Sequence, residues 1–242
     1  MAADYRGTSL RGRNQERRVG AVYNRSMRIW NVARARALTV TIALLGAACG
    51  PTAPPMSPLP YTDDFSDPQS GWQTLSDVAA QVRYDDGRLR FTIQQENLTQ
   101  WSVAGQQFAD GDFQVDAQAI GGPTDNGFGV IFRFQDRKNF YHFGISSDGY
   151  WRAGIVKDGV WENWGDWSAH PAIQTGSAVN RIRVIMKGDA FVFLVNDQQI
   201  GQRRDASFAS GDIGLFALTL IDAPGTDVAF DNVSVTAVVS SQ

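Results

Sequence analysis

Two observations predict an all-β fold, an antiparallel β-sandwich, for most of the 242-residue chain. From residue 61 onward, apolar residues recur with a period of two, as half-buried strands require, and no stretch shows the 3.6-residue period of a helix. Turn dipeptides such as Asp86-Gly87 and Asp158-Gly159 separate the apolar runs. Regular strands joined by tight turns imply antiparallel pairing and a sandwich, and no fixed repeat suggests a propeller or solenoid.

The predicted strands follow one another along residues 61–238, the predicted domain. Apolar side chains at alternate positions would face the core, and the polar side chains between them would face solvent. In the run over residues 128–134, the residues at every second position are expected to share a face: Phe128, Val130, Phe132 and Phe134. The runs span residues 88–93, 113–119, 128–134, 141–145, 181–187, 191–195, 213–220 and 228–235.

Composition and charge exclude several classes of function. The chain carries 22 basic and 25 acidic residues. Residues 1–48 hold nine Arg and two acidic residues, which leaves 13 basic and 23 acidic residues for residues 49–242, a net charge of −10. This part lacks the basic surface that nucleic acid binding requires, so nucleic acid is not an expected partner. A single Cys excludes a disulfide framework and a Cys-rich zinc site.

Residues 1–48 are predicted to be a signal peptide. Residues 37–48, ALTVTIALLGAA, are uncharged and apolar, and their length suits a signal core but is too short to span a bilayer. Three Arg residues precede this core, and small residues lead from it to Cys49. The segment resembles a bacterial lipoprotein signal, which implies that Cys49 is diacylated and becomes the mature N-terminus. The alternative is an ordinary secretory signal with a Cys near its cleavage site.

The segment around Cys49 predicts where the protein resides. Met27 is the expected initiator, because residues 1–26 add little to a signal that already works from Met27. Residues 49–60 are expected to hold the lipidated Cys and a semi-rigid tether, since GPTAPPMSPLP contains five Pro. The folded domain would then be anchored by lipid to the bacterial cell envelope, outside the cytoplasm.

The Asp158-Gly159 turn predicts the register of one hairpin. With those two residues as the loop, Lys157 would oppose Val160 and Tyr150 would oppose Trp167, and opposed residues share a face. One face would carry Tyr150, Arg152, Val156, Trp161, Asn163 and Trp167, and the other Trp151, Ala153, Ile155, Glu162, Trp164 and Asp166. Both faces hold large aromatic residues, so periodicity alone leaves open which face is core.

Seven segments follow one order over nearly all of residues 61–236. They are DDFSDPQSGW (63–72), DGRLRFT (86–92), DGDFQVDAQAI (110–120), NGFGVIFRFQDRKNFYHFGIS (126–146), VNRIRVIMKGDAFVFLVNDQQI (179–200), SGDIGLFA (210–217) and VAFDNVSV (228–235). Together they resemble the concanavalin A-like lectin/glucanase superfamily, and more narrowly the domain of bacterial keto-disaccharide hydrolases. The resemblance implies a jelly-roll-like sandwich of two curved sheets, with the early and late segments near each other.

The acidic cluster of the glucanase branch, Glu-x-Asp-x-x-Glu, has no counterpart here. Glu96 and Glu162 are the only Glu residues of residues 49–242, and the corresponding places on the strand after residue 112 hold Asp116 and Gln118. One Asp cannot serve both as nucleophile and as general acid. The motif G-x-S-x-G is also absent. We therefore expect no classical glycosidase chemistry.

The Trp-rich hairpin suggests a carbohydrate-binding surface. Sugars stack an apolar ring face on an aromatic side chain while polar groups take the hydroxyls. The residues expected to form such a platform are Arg133, His142, Tyr150, Arg152 and Trp161. This requires the hairpin face with Tyr150 and Trp161 to point outward. The alternative is that most of these rings fill the interior of the sandwich.

A structural calcium ion is a second possible ligand. Calcium takes several oxygen ligands. Asp63, Asp64 and Asp231 could converge where the chain ends meet, and Asp64 and Asp231 are the candidate ligands. The alternative role for these carboxylates is turn hydrogen bonding.

Three hypotheses of function follow. The first is a membrane-anchored extracytoplasmic lipoprotein whose sandwich binds carbohydrate or a cell-surface glycan without catalysis. The second is a keto-disaccharide hydrolase-like enzyme that acts on glycosides. The third is a structural or interaction domain with no small ligand. The missing acidic cluster favours the first and third, and the Trp-rich hairpin favours the first over the third.

Overall fold

The fold is known from a computed structural model, which describes residues 54–239. The expectations for the signal peptide, Met27 and Cys49 concern residues outside this range. Within it, no helix has the length and apolarity needed to cross a bilayer. Sixteen strands occur there: β1 Tyr61–Asp63, β2 Leu75–Ser76, β3 Ala80–Asp85, β4 Arg88–Ile93, β5 Thr99–Phe108, β6 Gly111–Gly121, β7 Gly127–Asp136, β8 Asn139–Ser146, β9 Tyr150–Lys157, β10 Val160–Asn163, β11 Ser168–Ala169, β12 Val179–Lys187, β13 Ala190–Val195, β14 Gln198–Arg204, β15 Gly211–Leu218 and β16 Thr226–Thr236.

The strands form two antiparallel sheets. A nine-stranded sheet has the order β14-β13-β12-β6-β16-β4-β3-β2, with β1 paired to β16. A seven-stranded sheet has the order β10-β9-β8-β7-β15-β5, with β11 paired to β9. Because Tyr61 of β1 lies opposite Val235 of β16, the expected proximity of the early and late segments is confirmed. The all-β antiparallel sandwich predicted from the sequence is also confirmed.

Alternation places one face of each strand in the core between the sheets. On β4, Leu89, Phe91 and Ile93 are fully buried, while Arg90 and Thr92 between them face away from the core. On β8, Phe143 and Ile145 are buried in the same way. Burying each such side chain contributes about 1.5–3 kcal/mol, and a slip of one residue would turn the whole set toward solvent.

Phe134 corrects the expectation that four alternate residues of β7 share a face. Ile131 pairs with Gly214 of β15 and Phe134 pairs with Asp212, so β7 advances three residues where β15 advances two, and Arg133 has a φ of 49°. Such a bulge adds a residue to one strand and reverses the direction of the side chains beyond it. Phe132 therefore packs in the core, whereas Phe134 packs on the other side of the sheet, 5.7 Å from the ring of Phe140.

The β9–β10 hairpin has the predicted register near its turn but not at its far end. Lys157 pairs with Val160, as expected. Tyr150 pairs with Ala169 of β11 and not with Trp167, so that expectation is wrong. Two extra residues enter the returning strand around Gly165, which has a φ of 154°. Because the shift is of two residues, Trp167 stays on the expected face.

The outer face of the nine-stranded sheet is polar, and several of its charges form ion pairs. Arg183 of β12 lies beside Asp112 of β6, with 2.7 Å between Nε and Oδ1. The next pair along the same two strands is Arg181 and Asp116, with an Nε–Oδ1 distance of 3.1 Å. We call this surface the ion-pair face.

Candidate functional site

The outer face of the seven-stranded sheet carries an apolar cluster separate from the core. Ile131, Phe140, Val156 and Phe216 are at most 2% exposed although they point away from the other sheet. Partly buried apolar side chains surround them: Trp101, Phe134, Trp161 and Leu218. We call these eight residues together the aromatic face. A sheet face directed toward solvent is usually polar, so this surface indicates an interaction site.

Glycines let the rings of this region lie directly on the sheet. A Cβ atom on Gly144 would lie 2.7 Å from Cζ of Phe216, closer than side chains tolerate. A Cβ atom on Gly127 would lie 3.1 Å from Cη2 of Trp167. Because Gly144 and Gly127 have no side chains, the rings of Phe216 and Trp167 can pack directly against the backbone of the sheet.

A shallow depression lies between Trp161 and Trp167. About 230 Å³ of space, part of it open solvent, lies within its outline. The guanidinium carbon of Arg152 lies 4.7 Å from the ring centroid of Trp167, within cation–π distance. The residues that line the depression are His142, Gly144, Arg152, Trp161, Trp167, Phe216 and Leu218.

His142 lies in the floor of the depression as a neutral imidazole. Its side chain is buried against Trp161, with 4.9 Å between ring centroids. Burial, and secondarily the positive charge of Arg152, lower the pKa of His142 to about 3. Its Nε2 has no hydrogen-bond partner among the described residues. An unsatisfied buried polar atom costs about 1–3 kcal/mol, so a partner such as a ligand group or an ordered water is expected there.

Asn163 adds a second unsatisfied atom in the same row of the sheet. His142 pairs with Gly154, and Gly154 pairs in turn with Asn163. The Oδ1 atom of Asn163 is buried without a hydrogen-bond partner among the described residues. Gly154 leaves room for the imidazole, because a Cβ atom there would lie 2.7 Å from His142 Nε2. The row thus brings two unsatisfied polar side chains to one part of the aromatic face.

The structure brings together three of the five predicted platform residues. His142, Arg152 and Trp161 line the depression. Tyr150 lies two positions before Arg152 on the same face of β9, 40% exposed, and does not line the depression. The hairpin face with Tyr150 and Trp161 does point outward, as the platform requires.

Arg133 is the residue whose predicted placement is wrong. The bulge in β7 turns its side chain away from the aromatic face, and it is 1% exposed. Its guanidinium donates hydrogen bonds to the carbonyl oxygens of Ala109, Phe208 and Gly188, at 2.7–3.1 Å, and lies over the ring of Phe191. Burial lowers its pKa. Arg133 therefore ties loops together at one end of the sandwich.

Asp64 and Asp231 do not form a ready calcium site. Asp64 is exposed and accepts hydrogen bonds from Ser66 N and Oγ at 3.1 and 2.6 Å, which lower its pKa. Asp231 accepts a hydrogen bond from Asn232 N at 2.7 Å. Its pKa is raised mainly by burial and secondarily by repulsion from Asp116 and Asp64. Within residues 54–239, no group of three or more His, Cys, Asp and Glu side chains is arranged to hold a metal ion. For Asp64 the geometry matches turn hydrogen bonding.

The sequence analysis missed several members of the aromatic face. Trp101 lies on β5 directly opposite Phe216 of β15. A usable signal was present in residues 213–220, IGLFALTL, which are apolar at both parities, because such a run is typical of a strand covered on both sides. No comparable signal reveals Phe134, whose direction depends on the bulge.

Comparisons with known proteins identify the fold. No family model and no curated protein matches the sequence. Among solved structures, a Bacillus licheniformis β-glucanase superposes with a TM-score of 0.56 at 9% identity, over 74% of this chain and 98% of its own. A Bacillus subtilis protein of unknown function with a galectin-like fold gives 0.57 at 14% identity, over 75% and 96%. Carbohydrate-binding module CBM66 from Bacillus subtilis gives 0.51 at 15% identity, over 68% and 94%. At these identities the likeness establishes a jelly-roll, galectin-like sandwich.

Proposed function

We propose that the sandwich binds carbohydrate on the aromatic face without catalysis. The observation that carries this proposal is the depression between Trp161 and Trp167, which holds Arg152 and His142. Two half-buried indoles offer flat apolar surfaces for sugar rings, and the polar side chains between them can take the ring substituents. Structural neighbours named as a carbohydrate-binding module and a β-glucanase support this choice of ligand class.

A binding role is favoured over hydrolysis by the lining of the depression. Glycoside hydrolysis commonly uses a pair of carboxyl groups on opposite sides of the scissile bond. None of the residues that line the depression is an Asp or a Glu. Turnover of a 3-keto-glucoside by the purified chain would instead support the keto-disaccharide hydrolase-like alternative.

The proposal includes export and lipid anchoring at Cys49, in the bacterial cell envelope. The described end of the linker is compatible with this arrangement. Ser57 N donates to Gln107 O at 2.8 Å, and Gln107 N donates to Ser57 Oγ at 3.0 Å. The linker thus meets the seven-stranded sheet near the Phe108 end of β5, whereas Leu218, at the rim of the depression, pairs with the opposite end of that strand. A glycan could therefore approach the depression from the side away from this linker contact.

A glycan array with the full chain in detergent tests the binding proposal. We expect a subset of saccharides to bind and to change tryptophan fluorescence. Trp161→Ala should remove that binding, whereas Ile120→Ala, at a 39% exposed apolar residue of the other sheet, should not. An array on which the wild-type chain captures no saccharide would contradict the proposal. Incorporation of a fatty-acid analogue, and its loss in Cys49→Ser, tests the anchor separately.

A further inference from the structure

Two buried polar atoms in one row of the seven-stranded sheet have unmet hydrogen bonds. They are His142 Nε2 and Asn163 Oδ1, and neither has a hydrogen-bond partner among the described residues, so they do not bond to each other either. A Cβ atom on Gly154, the residue between them in the row, would lie 2.7 Å from His142 Nε2 and 3.0 Å from Asn163 Cα. The imidazole thus leans over Gly154 toward Asn163. Buried polar atoms without partners destabilise a fold, so two of them in one row indicate a group that is supplied from outside.

Trp161 lies between this row and solvent. Its ring centroid is 4.9 Å from that of His142, which is 3% exposed, whereas Trp161 itself is only partly buried. Trp161 belongs to β10, a strand of four residues that pairs with β9 alone among the described strands. Gly165 follows shortly after this strand, and a Cβ atom there would meet none of the described atoms within 4 Å. The indole that covers the row is therefore carried by a short edge strand next to an open loop, where local movement costs little.

A hydroxyl is the ligand group that satisfies both atoms at once. With the ring hydrogen on Nε2, His142 donates a hydrogen bond, and Asn163 Oδ1 can only accept one. A hydroxyl accepts through its oxygen and donates its hydrogen, so it complements the two atoms together. A carboxylate or a sulfate cannot donate, and an ammonium cannot accept, so each of these would leave one atom unpaired. The row is therefore matched to a neutral ligand that carries a free hydroxyl.

We propose that one hydroxyl of a neutral sugar binds between His142 Nε2 and Asn163 Oδ1, and that Trp161 turns outward to admit it and stacks on the sugar ring. The inference rests on the proposed carbohydrate-binding function and names the group that the ligand must present. A site built to hydrogen-bond a hydroxyl discriminates strongly against the analogue that lacks it, because the polar atoms of the site then stay unpaired. One hydroxyl position of the sugar should therefore dominate selectivity.

Deoxy sugars test this inference on the wild-type chain. The parent ligands are the methyl glycosides of glucose, galactose and mannose and the saccharide captured most strongly on the array. Each is compared by calorimetric titration with its monodeoxy and mono-O-methyl derivatives. We expect one position at which removal of the hydroxyl weakens binding at least tenfold, and methylation there should act like removal, because a methyl ether cannot donate.

The outcomes of this titration separate the inference from the proposed function. If every derivative binds as tightly as its parent, the inference is overturned, whereas carbohydrate binding stands. If none of the parent ligands binds, the proposed function itself is overturned.

Variants assign the critical hydroxyl to this row. Asn163→Ala should weaken binding of the parent at least tenfold and should bind the parent and the critical deoxy derivative equally, because each change removes the partner of the other. The variant should fold, since Asn163 Oδ1 has no partner to lose among the described residues. Thr92→Val, which removes a buried unpaired hydroxyl from the ion-pair face, is the matched control and should leave the preference unchanged. A full preference in Asn163→Ala would place the hydroxyl elsewhere and overturn the inference.

The ¹⁵N resonance of His142 Nε2 tests the other half of the pair. Saturation of the wild-type chain with the parent ligand is expected to shift this resonance, because Nε2 gains a hydrogen-bond partner. Saturation with the critical deoxy derivative should leave it close to its position in the free protein. Equal shifts with both ligands would overturn the role of His142.

Discussion

The two outer faces of the sandwich differ in the side chains that they present to solvent. On the ion-pair face, charges are matched at short range: Arg90 donates to both carboxylate oxygens of Asp227, at 2.8 and 2.6 Å. On the aromatic face, rings cover other rings, and His142 Nε2 and Asn163 Oδ1 are buried without partners among the described residues. Paired charges leave fewer groups to bind a ligand, although Thr92 Oγ1 on the ion-pair face also lacks a partner among the described residues. The aromatic face combines exposed apolar area with unpaired polar atoms.

The largest expected difference between the faces is in stability. Phe140 is fully buried on the aromatic face, so Phe140→Ala should lower the free energy of unfolding by about 3–5 kcal/mol through lost burial and the cavity left behind. Denaturant unfolding followed by tryptophan fluorescence measures this change. A loss below 1 kcal/mol would mean that the rings of this face do not pack as a second core.

The next largest expected effect is a change in the stability of the protein at acidic pH. The pKa of His142 is about 3 in the folded protein and near 6.5 when unfolded. Between these values the unfolded chain takes up a proton that the folded protein does not, so stability falls as the pH drops, by about 2 kcal/mol at pH 5. Asp212, whose burial raises its pKa to about 6, acts in the opposite direction.

Because Asp212 also titrates in this range, the wild type is compared with a variant that retains Asp212 but lacks His142. His142→Phe removes the titrating group. The free energy of unfolding of this variant, relative to that of the wild type, should therefore rise as the pH falls from 7 to 5. The free energies of unfolding are compared at each pH in the same buffer series. A difference that does not vary with pH would contradict the assignment of a neutral, buried imidazole.

A smaller free-energy change is expected for ligand binding at Trp161. Trp161→Ala should weaken binding of a captured saccharide at least tenfold, about 1.4 kcal/mol, because one stacking surface is lost. Calorimetric titration of the variant beside wild type gives the ratio. Unchanged affinity would place the ligand elsewhere on the chain.

The smallest effect should come from the ion-pair face. Arg181 is an exposed partner of Asp116, and exposed pairs contribute about 0–1 kcal/mol. Arg181→Gln should therefore lower the free energy of unfolding by less than 1 kcal/mol, and less still in high salt. A loss as large as that of Phe140→Ala would remove the contrast between the faces.

Period-two alternation predicted the sandwich and most of its core, because burial of one face fixes each strand's register. The same rule placed Arg152 and Trp161 on one face of the hairpin but left open whether that face is core, and the two-residue shift at Gly165 left their side of the hairpin unchanged. It failed at Arg133 and Phe134, where a bulge adds one residue and reverses parity. Bulges depend on pairing between strands distant in sequence, so residues within one strand do not reveal them.

The depression itself could be predicted only in part. His142, Arg152 and Trp161 were found because they share parity on adjoining strands. Leu218 and Phe216 join them because β15 lies next to β7, far from β9 in sequence, and that neighbourhood is a property of the topology. The glycines at positions 127 and 144 matter only because the rings of Trp167 and Phe216 cross the strands at those points.

Indole N–H resonances test the central claim, that saccharide binds on the aromatic face, most directly. In a ¹H–¹⁵N spectrum of the protein titrated with the saccharide captured most strongly on the array, the signals of Trp161 and Trp167 are predicted to shift. The signal of Trp72, whose Nε1 donates to Asp63 in the core at 2.9 Å, is predicted to stay in place. Saturable binding that leaves the Trp161 and Trp167 signals unmoved would contradict the account.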